Sequence, residues 1–166
     1  LASELPAWTT VAWQLVVCVA INDTLFYWAH RLLHHRRIYK YIHKQHHEFN
    51  VNVGVASEYA HPVEQLLANT VPTLLGCVLC GAHMLTFAIW MFVRMMETLE
   101  AHSGFDFPWS PFHFPLFNSA DRHDYHHSHN DGNFGSFTPF WDWVCGTDAN
   151  YKAWLARDRD RRAKDK

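Results

Sequence analysis

Fourteen of the 166 residues are His, as many as Lys and Arg together, and their spacing is that of metal ligands. His30 and His34 are four apart, which on a helix places two imidazoles one turn apart on one face. His43, His46 and His47 form a His-x-x-His-His box, and His123, His126 and His127 repeat it. On a helix each box would project three imidazoles from one face. One such cluster is compatible with a solvated polar surface. Two boxes and a His-x-x-x-His pair are not, because neutral imidazoles crowded beside apolar segments need a partner. His102 makes nine candidate ligands, and His61, in the segment Glu58-Tyr59-Ala60-His61-Pro62, is a candidate tenth, with helix capping as its competing role. A single tetrahedral zinc takes four ligands. Nine or ten imidazoles fit two ions of four to five nitrogen ligands each, with positions left for oxygen species or water. His83 is excluded, since it falls at the far end of an apolar segment from the others.

Metal-bound His commonly donates its other ring N–H to a carboxylate or carbonyl. Asp23, seven residues before His30 in an apolar stretch, is expected to orient His30 or His34, because an unpartnered carboxylate there would be costly. Glu58, Glu97 and Asp124 are candidates for the same role, as are Glu64, Glu100 and Asp121. Imidazole suits zinc, copper, iron or nickel, so the ligands leave the metal open. The chain has no Gly-x-Ser-x-Gly elbow, phosphate loop or dinucleotide fingerprint, and with a net charge of −2 it does not suit nucleic acid. A histidine-rich di-metal site beside apolar helices able to admit a lipid suits redox activation of dioxygen against a C–H bond.

Those helices show as gaps in the charge map. The mean hydropathy of −0.21 conceals two stretches, residues 5–22 and 65–93, without a single Asp, Glu, Lys or Arg. The first predicts a helix over residues 8–34. The second predicts a helical hairpin between residues 63 and 100, two arms of about 17 residues or about 26 Å each, against a bilayer core of about 30 Å. Its apex is Cys80-Gly81-Ala82-His83, and both its ends face one side. Arg31, Arg36, Arg37, Lys40 and Lys44 follow the first span and place the His-rich segments in the cytosol. The expected fold class is all-α: integral membrane helices with a cytosolic histidine-rich di-metal helical cap. Residues 1–156 would form one membrane catalytic domain and 157–166 a charged tail. The four Cys read as small hydrophobes. A buried core in a soluble all-α protein is the alternative for the apolar runs, and non-catalytic metal handling in a membrane the alternative for the boxes.

Residues 23–34 (DTLFYWAHRLLH), 43–48 (HKQHHE), 58–64 (EYAHPVE), 97–109 (ETLEAHSGFDFPW), 123–127 (HDYHH) and 142–148 (DWVCGTD) resemble the sterol 4-alpha-methyl oxidases of the membrane-bound fatty acid hydroxylase superfamily. The resemblance covers about residues 5–151. The boxes carry only the superfamily; the EYAHP and ETLEAHSG segments, with FPW and GTD, point to the methyl oxidases. It implies a multi-pass endoplasmic reticulum membrane enzyme with its site facing the cytosol. Two iron ions, dioxygen and electrons from a reduced b-type cytochrome would oxidise a sterol 4-methyl group, with zinc able to take the same imidazoles in purified protein. It implies ligation by His30, His34, His43, His46, His47, His102, His123, His126 and His127, with His61 joining them. Two departures bear on the substrate. Thr98 stands where fatty acid 2-hydroxylases carry a further His, and the short link from His127 to Gly132 is similar to that of cholesterol 25-hydroxylases. A sterol 25-hydroxylase, sterol desaturase or sphingolipid hydroxylase is therefore the alternative within the class. The chain begins at Leu1 and is expected to be the catalytic part of a longer protein, with the family's N-terminal membrane helices outside it.

Overall fold

Residues 8–33 contain neither Gly nor Pro and are dominated by Ala, Leu, Val and Trp, so nothing interrupts a long helix. In the computed structural model, which describes residues 4–49, 53–105 and 107–164, they form α1 (Trp8–Leu33), 26 residues or about 39 Å, ending at His34. Among the described residues this is the one helix long and apolar enough to cross a membrane. Its faces are inverted relative to a soluble helix. Gln14, Asn22 and Asp23 are buried, Asn22 completely, whereas Val16 is 68% exposed and Trp8, Trp13, Trp28 and Leu32 also face outward. Polar side chains turned inward and large apolar ones turned outward suit a lipid surround.

The expected hairpin is present, with a break in its first arm. Pro62 opens α2 (Pro62–Glu64), a π-helical segment follows over Gln65–Thr70, and α3 (Val71–Leu79) completes the arm. The Thr70 hydroxyl donates to the Gln65 carbonyl, 2.8 Å away, across the widened turn just before Pro72, which has no N–H to donate. The chain turns at residues 80–83, with Gly81 in the left-handed region (φ +56°). The His83 imidazole then accepts the Leu85 N–H at 3.0 Å to cap α4 (Met84–Ala101). Neither arm has the length and composition of α1: the first is interrupted, and the second carries Arg94, Glu97 and Glu100.

α1 lies along the first arm. A Cβ on Gly76 would sit 2.7 Å from Cys18 Cα, so only glycine permits this crossing. Cys18, Cys77, Trp90, Phe112 and Phe137 form the core beneath it. Buried polar groups join the three helices in pairs. Thr86 donates to Gln14 at 2.9 Å, Gln14 to the Cys80 carbonyl at 3.2 Å, Thr73 to Asn22 at 3.4 Å, and the Trp90 indole to the Thr73 carbonyl at 2.8 Å. Gln14 marks the apex end of the bundle, and His30 lies 16 residues further along α1, about 24 Å away. The rest of the chain gathers at that far end: a 3-10 helix (His43–Glu48), α5 (Ala120–His129), α6 (Phe140–Cys145) and α7 (Ala149–Lys164). No strand occurs among the described residues. The charged tail continues α7 as a solvated helix with an Arg162–Asp158 pair at 2.7 Å; its residues 165 and 166 lie outside the described residues.

Candidate metal centre

Nine imidazoles from four segments converge in two adjacent groups. His30 and His34 come from the end of α1, His43 and His47 from the 3-10 helix, and His126 from α5; their nearest ring nitrogens all lie within 4.8 Å of one another. The second group, equally tight, is His46, His102, His123 and His127. The boxes do not each serve one centre. The first sends its i, i+4 pair to the first group and its middle His to the second, and the second box does the reverse. The first box does so on a 3-10 helix and the second on the α-helix α5, so both windings permit the same division. His47 and His127 stack across the boundary, ring centres 4.5 Å apart.

The contacts behind the rings set which nitrogen carries the proton. His30 Nδ1–H donates to the Phe134 carbonyl (3.0 Å), His43 Nδ1–H to Glu64 (2.8 Å), His126 Nδ1–H to the Gly132 carbonyl (2.6 Å) and His102 Nδ1–H to the Thr98 carbonyl (2.9 Å). A neutral imidazole protonated at Nδ1 has only a lone pair at Nε2. His30 and His43 both do, yet their Nε2 atoms are 3.1 Å apart, so no hydrogen bond can join them. Similar Nε2 separations recur at His43–His47 (3.0 Å), His34–His126 (3.1 Å), His102–His123 (2.9 Å), His123–His127 (3.0 Å) and His46–His102 (3.3 Å). Lone pairs pointed at one another repel; a cation among them turns the arrangement into coordination. Metal–nitrogen bonds of about 2.1 Å put ligands about 3.0 Å apart at right angles and about 3.4 Å apart at tetrahedral angles. The observed spacings lie mostly at the former, so the donor set fits metal ions with more than four positions.

Burial also keeps the rings uncharged. It pushes His46 down to about 4, and with the neighbouring His46 ring pushes His102 to about 3 and His127 to about 2. His126, fully buried, and the partly buried His123 are held well below the usual imidazole range by burial first and adjacent rings second. Metal ligation requires the neutral form.

Several expected positions fall elsewhere. His61 is in neither group: its Nδ1 accepts the Val63 N–H at 3.2 Å, capping the helix that Pro62 opens. Asp23 orients no imidazole. It accepts the Phe137 N–H (2.9 Å), the Thr138 N–H (3.0 Å) and the Thr138 hydroxyl (2.6 Å), and so ties α1 to the loop before α6. Glu58 pairs with Gln65 at the surface. Glu97 pairs with Arg94 at 2.6 Å and, with His102, lines a chamber beside the rings. Asp124 borders a small cleft with His46, His102, His123 and His127. Glu64, one of the weaker carboxylate candidates, is the one that reaches a ring.

Asp142 was not foreseen. Its buried carboxylate accepts the Phe134 N–H (2.9 Å), the Gly135 N–H (3.0 Å) and the Thr147 hydroxyl (2.6 Å), and burial raises its pKa. It thereby shapes the turn whose carbonyls anchor His30 and His126. Gly132 completes that turn at φ +68°, where a Cβ would run into the Thr147 carbonyl. The signal was a buried acid in the DWVCGTD segment, lacking any periodicity that would reveal its partners.

Residues 15–147 match the fatty acid hydroxylase family. The chain is 43% identical to "Very-long-chain aldehyde decarbonylase GL1-8" of Oryza sativa subsp. indica, over 96% of the chain and 61% of that protein. It is 44% identical to "Methylsterol monooxygenase 2-2" of Arabidopsis thaliana, over 89% and 57% respectively. With "Methylsterol monooxygenase 1" of Rattus norvegicus it shares 42%, over 93% and 53%. The chain thus spans little more than half the length of these relatives. No solved structure matches.

Proposed function

The chain belongs to the fatty acid hydroxylase family, a membrane-associated family, and from that premise we propose that it is the catalytic part of a membrane di-iron monooxygenase that oxidises the 4-methyl group of a sterol. The observation carrying the metal is the set of facing, unprotonated Nε2 atoms, above all His30 against His43. The substrate class is supported by the methylsterol monooxygenases among the relatives. His30, His34, His43, His47 and His126 would hold one iron, and His46, His102, His123 and His127 the other. Iron bound there supplies the redox activation of dioxygen that oxidation of an unactivated C–H bond requires.

The protein's own part is to orient, exclude and admit. The Phe134, Gly132 and Thr98 carbonyls and Glu64 fix ring direction and tautomer, so that the nitrogens need no reorganisation to bind. The chamber on the hairpin side of the rings encloses about 40 Å³, room for a few water-sized molecules or the end of a hydrocarbon group. Phe26 and Ala68 supply apolar parts of its lining. Electrons would come from a reduced b-type cytochrome. The exposed Arg31, Arg36, Arg37, Lys40 and Lys44 beside the His end support a site facing the cytosol. The apolar α1 and the hairpin support several membrane passes, and the resemblance to the methyl oxidases an endoplasmic reticulum membrane location.

The rice relatives named very-long-chain aldehyde decarbonylases favour a second reading, a straight-chain lipid at the same centre. One experiment separates the readings: metal analysis of the purified full-length protein, with product analysis after incubation with iron, donor, dioxygen and 4,4-dimethylsterol. Two irons per chain and an oxidised 4-methyl group are expected. Two irons with turnover only of a long-chain aldehyde would replace the sterol, and metal without oxygen consumption would overturn the monooxygenase.

A further inference from the structure

The charge-free stretch of the hairpin ends at Arg94, and its guanidinium points inward. One of its terminal nitrogens meets Glu97, and the carbon of the group lies 5.9 Å from the Phe26 ring centre. Its Nε has no hydrogen-bond partner, although the residue is only 9% exposed. Three further buried polar atoms on residues of the same chamber wall are also without partners: the Ser57 hydroxyl, the second carboxylate oxygen of Glu64 and Nδ1 of His46. Orphaned buried groups are rare and each needs a reason. Apart from the His46 ring they are a donor, an acceptor and a hydroxyl able to be either, on three residues that line one small chamber.

A larger cavity adjoins the chamber. Ser57, Asn69, Arg94 and Thr98 line both. The larger one encloses about 270 Å³, close to the lower end of the roughly 300–1,000 Å³ usual for small-molecule pockets. It lies between the two arms of the hairpin, with Gln65, Asn69 and Thr73 on one wall and Met91 and Met95 on the other. A polar strip facing flexible thioethers, inside a hairpin whose outer surface is apolar, suits a rigid hydrocarbon body carrying a single oxygen. On that wall Gln65 and Asn69, four residues apart, lie side by side, the Asn69 amide donating to the Gln65 side-chain oxygen at 3.1 Å.

We propose that this interarm cavity is the binding site of the lipid, and that Arg94 is a specificity-determining residue whose Nε–H donates to a hydroxyl oxygen of that lipid next to the carbon being oxidised. A hydroxyl would serve the three orphans outside the imidazoles: it accepts from Arg94 and donates to Glu64, while Ser57 completes the set. A hydrocarbon without oxygen would leave a permanently charged guanidinium buried against it. In a 4-methylsterol the 3-hydroxyl is on the ring carbon adjacent to the one bearing the methyl groups, which is where such a clamp would hold it. The inference rests on the lipid-oxidising reading above, though not on the lipid being a sterol.

The test is equilibrium binding of labelled lipids to iron-loaded full-length protein. The probes are 4,4-dimethylsterol, its 3-deoxy counterpart, the 3-deoxy 4-hydroxymethyl compound, 1-octacosanol and octacosane. The variants are Met91→Trp, which fills the cavity, and Arg94→Met combined with Glu97→Gln, which removes the ion pair without stranding a charge. Metal content and melting temperature establish that each is folded. Wild type should prefer the 3-hydroxysterol over the 3-deoxy compound by about tenfold or more. The double variant should reduce that preference to within about twofold, and Met91→Trp should weaken every lipid by about tenfold. A preference seen only for the 4-hydroxymethyl compound, and lost in the double variant, would assign the clamp to the hydroxyl formed by the reaction. If no sterol binds but 1-octacosanol is preferred over octacosane with the same dependence on Arg94 and Met91, the sterol reading fails and the clamp stands. Wild-type preference retained in the double variant overturns the role of Arg94, unchanged affinity in Met91→Trp overturns the cavity, and failure of every lipid to bind overturns both.

Discussion

Replacing Glu64 with methionine should weaken one metal site and spare the other. Glu64 touches the centre at one point, the 2.8 Å contact from His43 Nδ1–H. Methionine keeps the length of the side chain and removes the acceptor. The buried His43 N–H is then left unsatisfied, at a cost of about 1–3 kcal/mol, and the ring loses what holds its tautomer. Loss of such a supporting contact lowers metal affinity about 10- to 100-fold in characterised sites, the same range. His43 Nε2 lies 3.1 Å from His30 and 3.0 Å from His47, so the loss falls on the five-imidazole group. In the other group His102 has its own support, the Thr98 carbonyl. A competitive chelator titration followed by metal analysis should show two metals of comparable affinity in wild type and a split isotherm in Glu64→Met. Glu64→Gln, which keeps an acceptor oxygen in place, should fall between them. Equal weakening of both sites, or of neither, would refute the assignment of His43 to a centre supported by Glu64.

His61→Ala should leave metal content at the wild-type level and cost about 0.5–2 kcal/mol of stability through the lost cap, read from metal analysis and thermal melting; loss of a metal would restore His61 as a ligand. Asp142→Ala strands the Phe134 and Gly135 N–H groups and the Thr147 hydroxyl, so the variant should be about 2–4 kcal/mol less stable in chemical unfolding. It should also bind metal more weakly, because the Phe134 and Gly132 carbonyls lose their placement. For the metal-free protein, His46, His102 and His127 are held at about 4, 3 and 2 when folded, against about 6.5 when unfolded. The unfolded chain binds more protons between those values, so stability is full above about pH 6.5 and declines as the pH falls below it. Melting temperature measured from pH 8 to pH 5 should drop on the acid side, and a rise there would contradict neutral buried rings.

The pairing of imidazoles by spacing was legible in the sequence because a helix imposes it: His30 and His34 share a group, as do His43 with His47 and His123 with His127. What spacing does not carry is the partition of each box between two centres. That depends on where the rings of the other segments stand, since a 3-10 box and an α-helical box divide in the same way. The need of Asp23 for a partner was also legible; the partner was not, since Phe137 and Thr138 lie 114 and 115 residues away in a loop with no periodic signature. Three of the groups that fix the rings, at Phe134, Gly132 and Thr98, are backbone carbonyls, which every residue possesses and no composition marks. His61 is a further case: Pro62 beside it favours a helix start, and capping prevailed over coordination. The break over Gln65–Thr70 has a cue in Pro72, but a proline signals only that a helical hydrogen bond is missing, not how the chain rearranges around it.

The exchange of ligands between the boxes has a consequence for how the centre assembles. The 3-10 helix of residues 43–48 contributes to both groups, as α5 does. An ion in either group therefore tethers the same two segments to the helix ends. Each ion that binds the folded chain adds stability by mass action. Removing one should lower the melting temperature without releasing either segment, and removing both should release the two together.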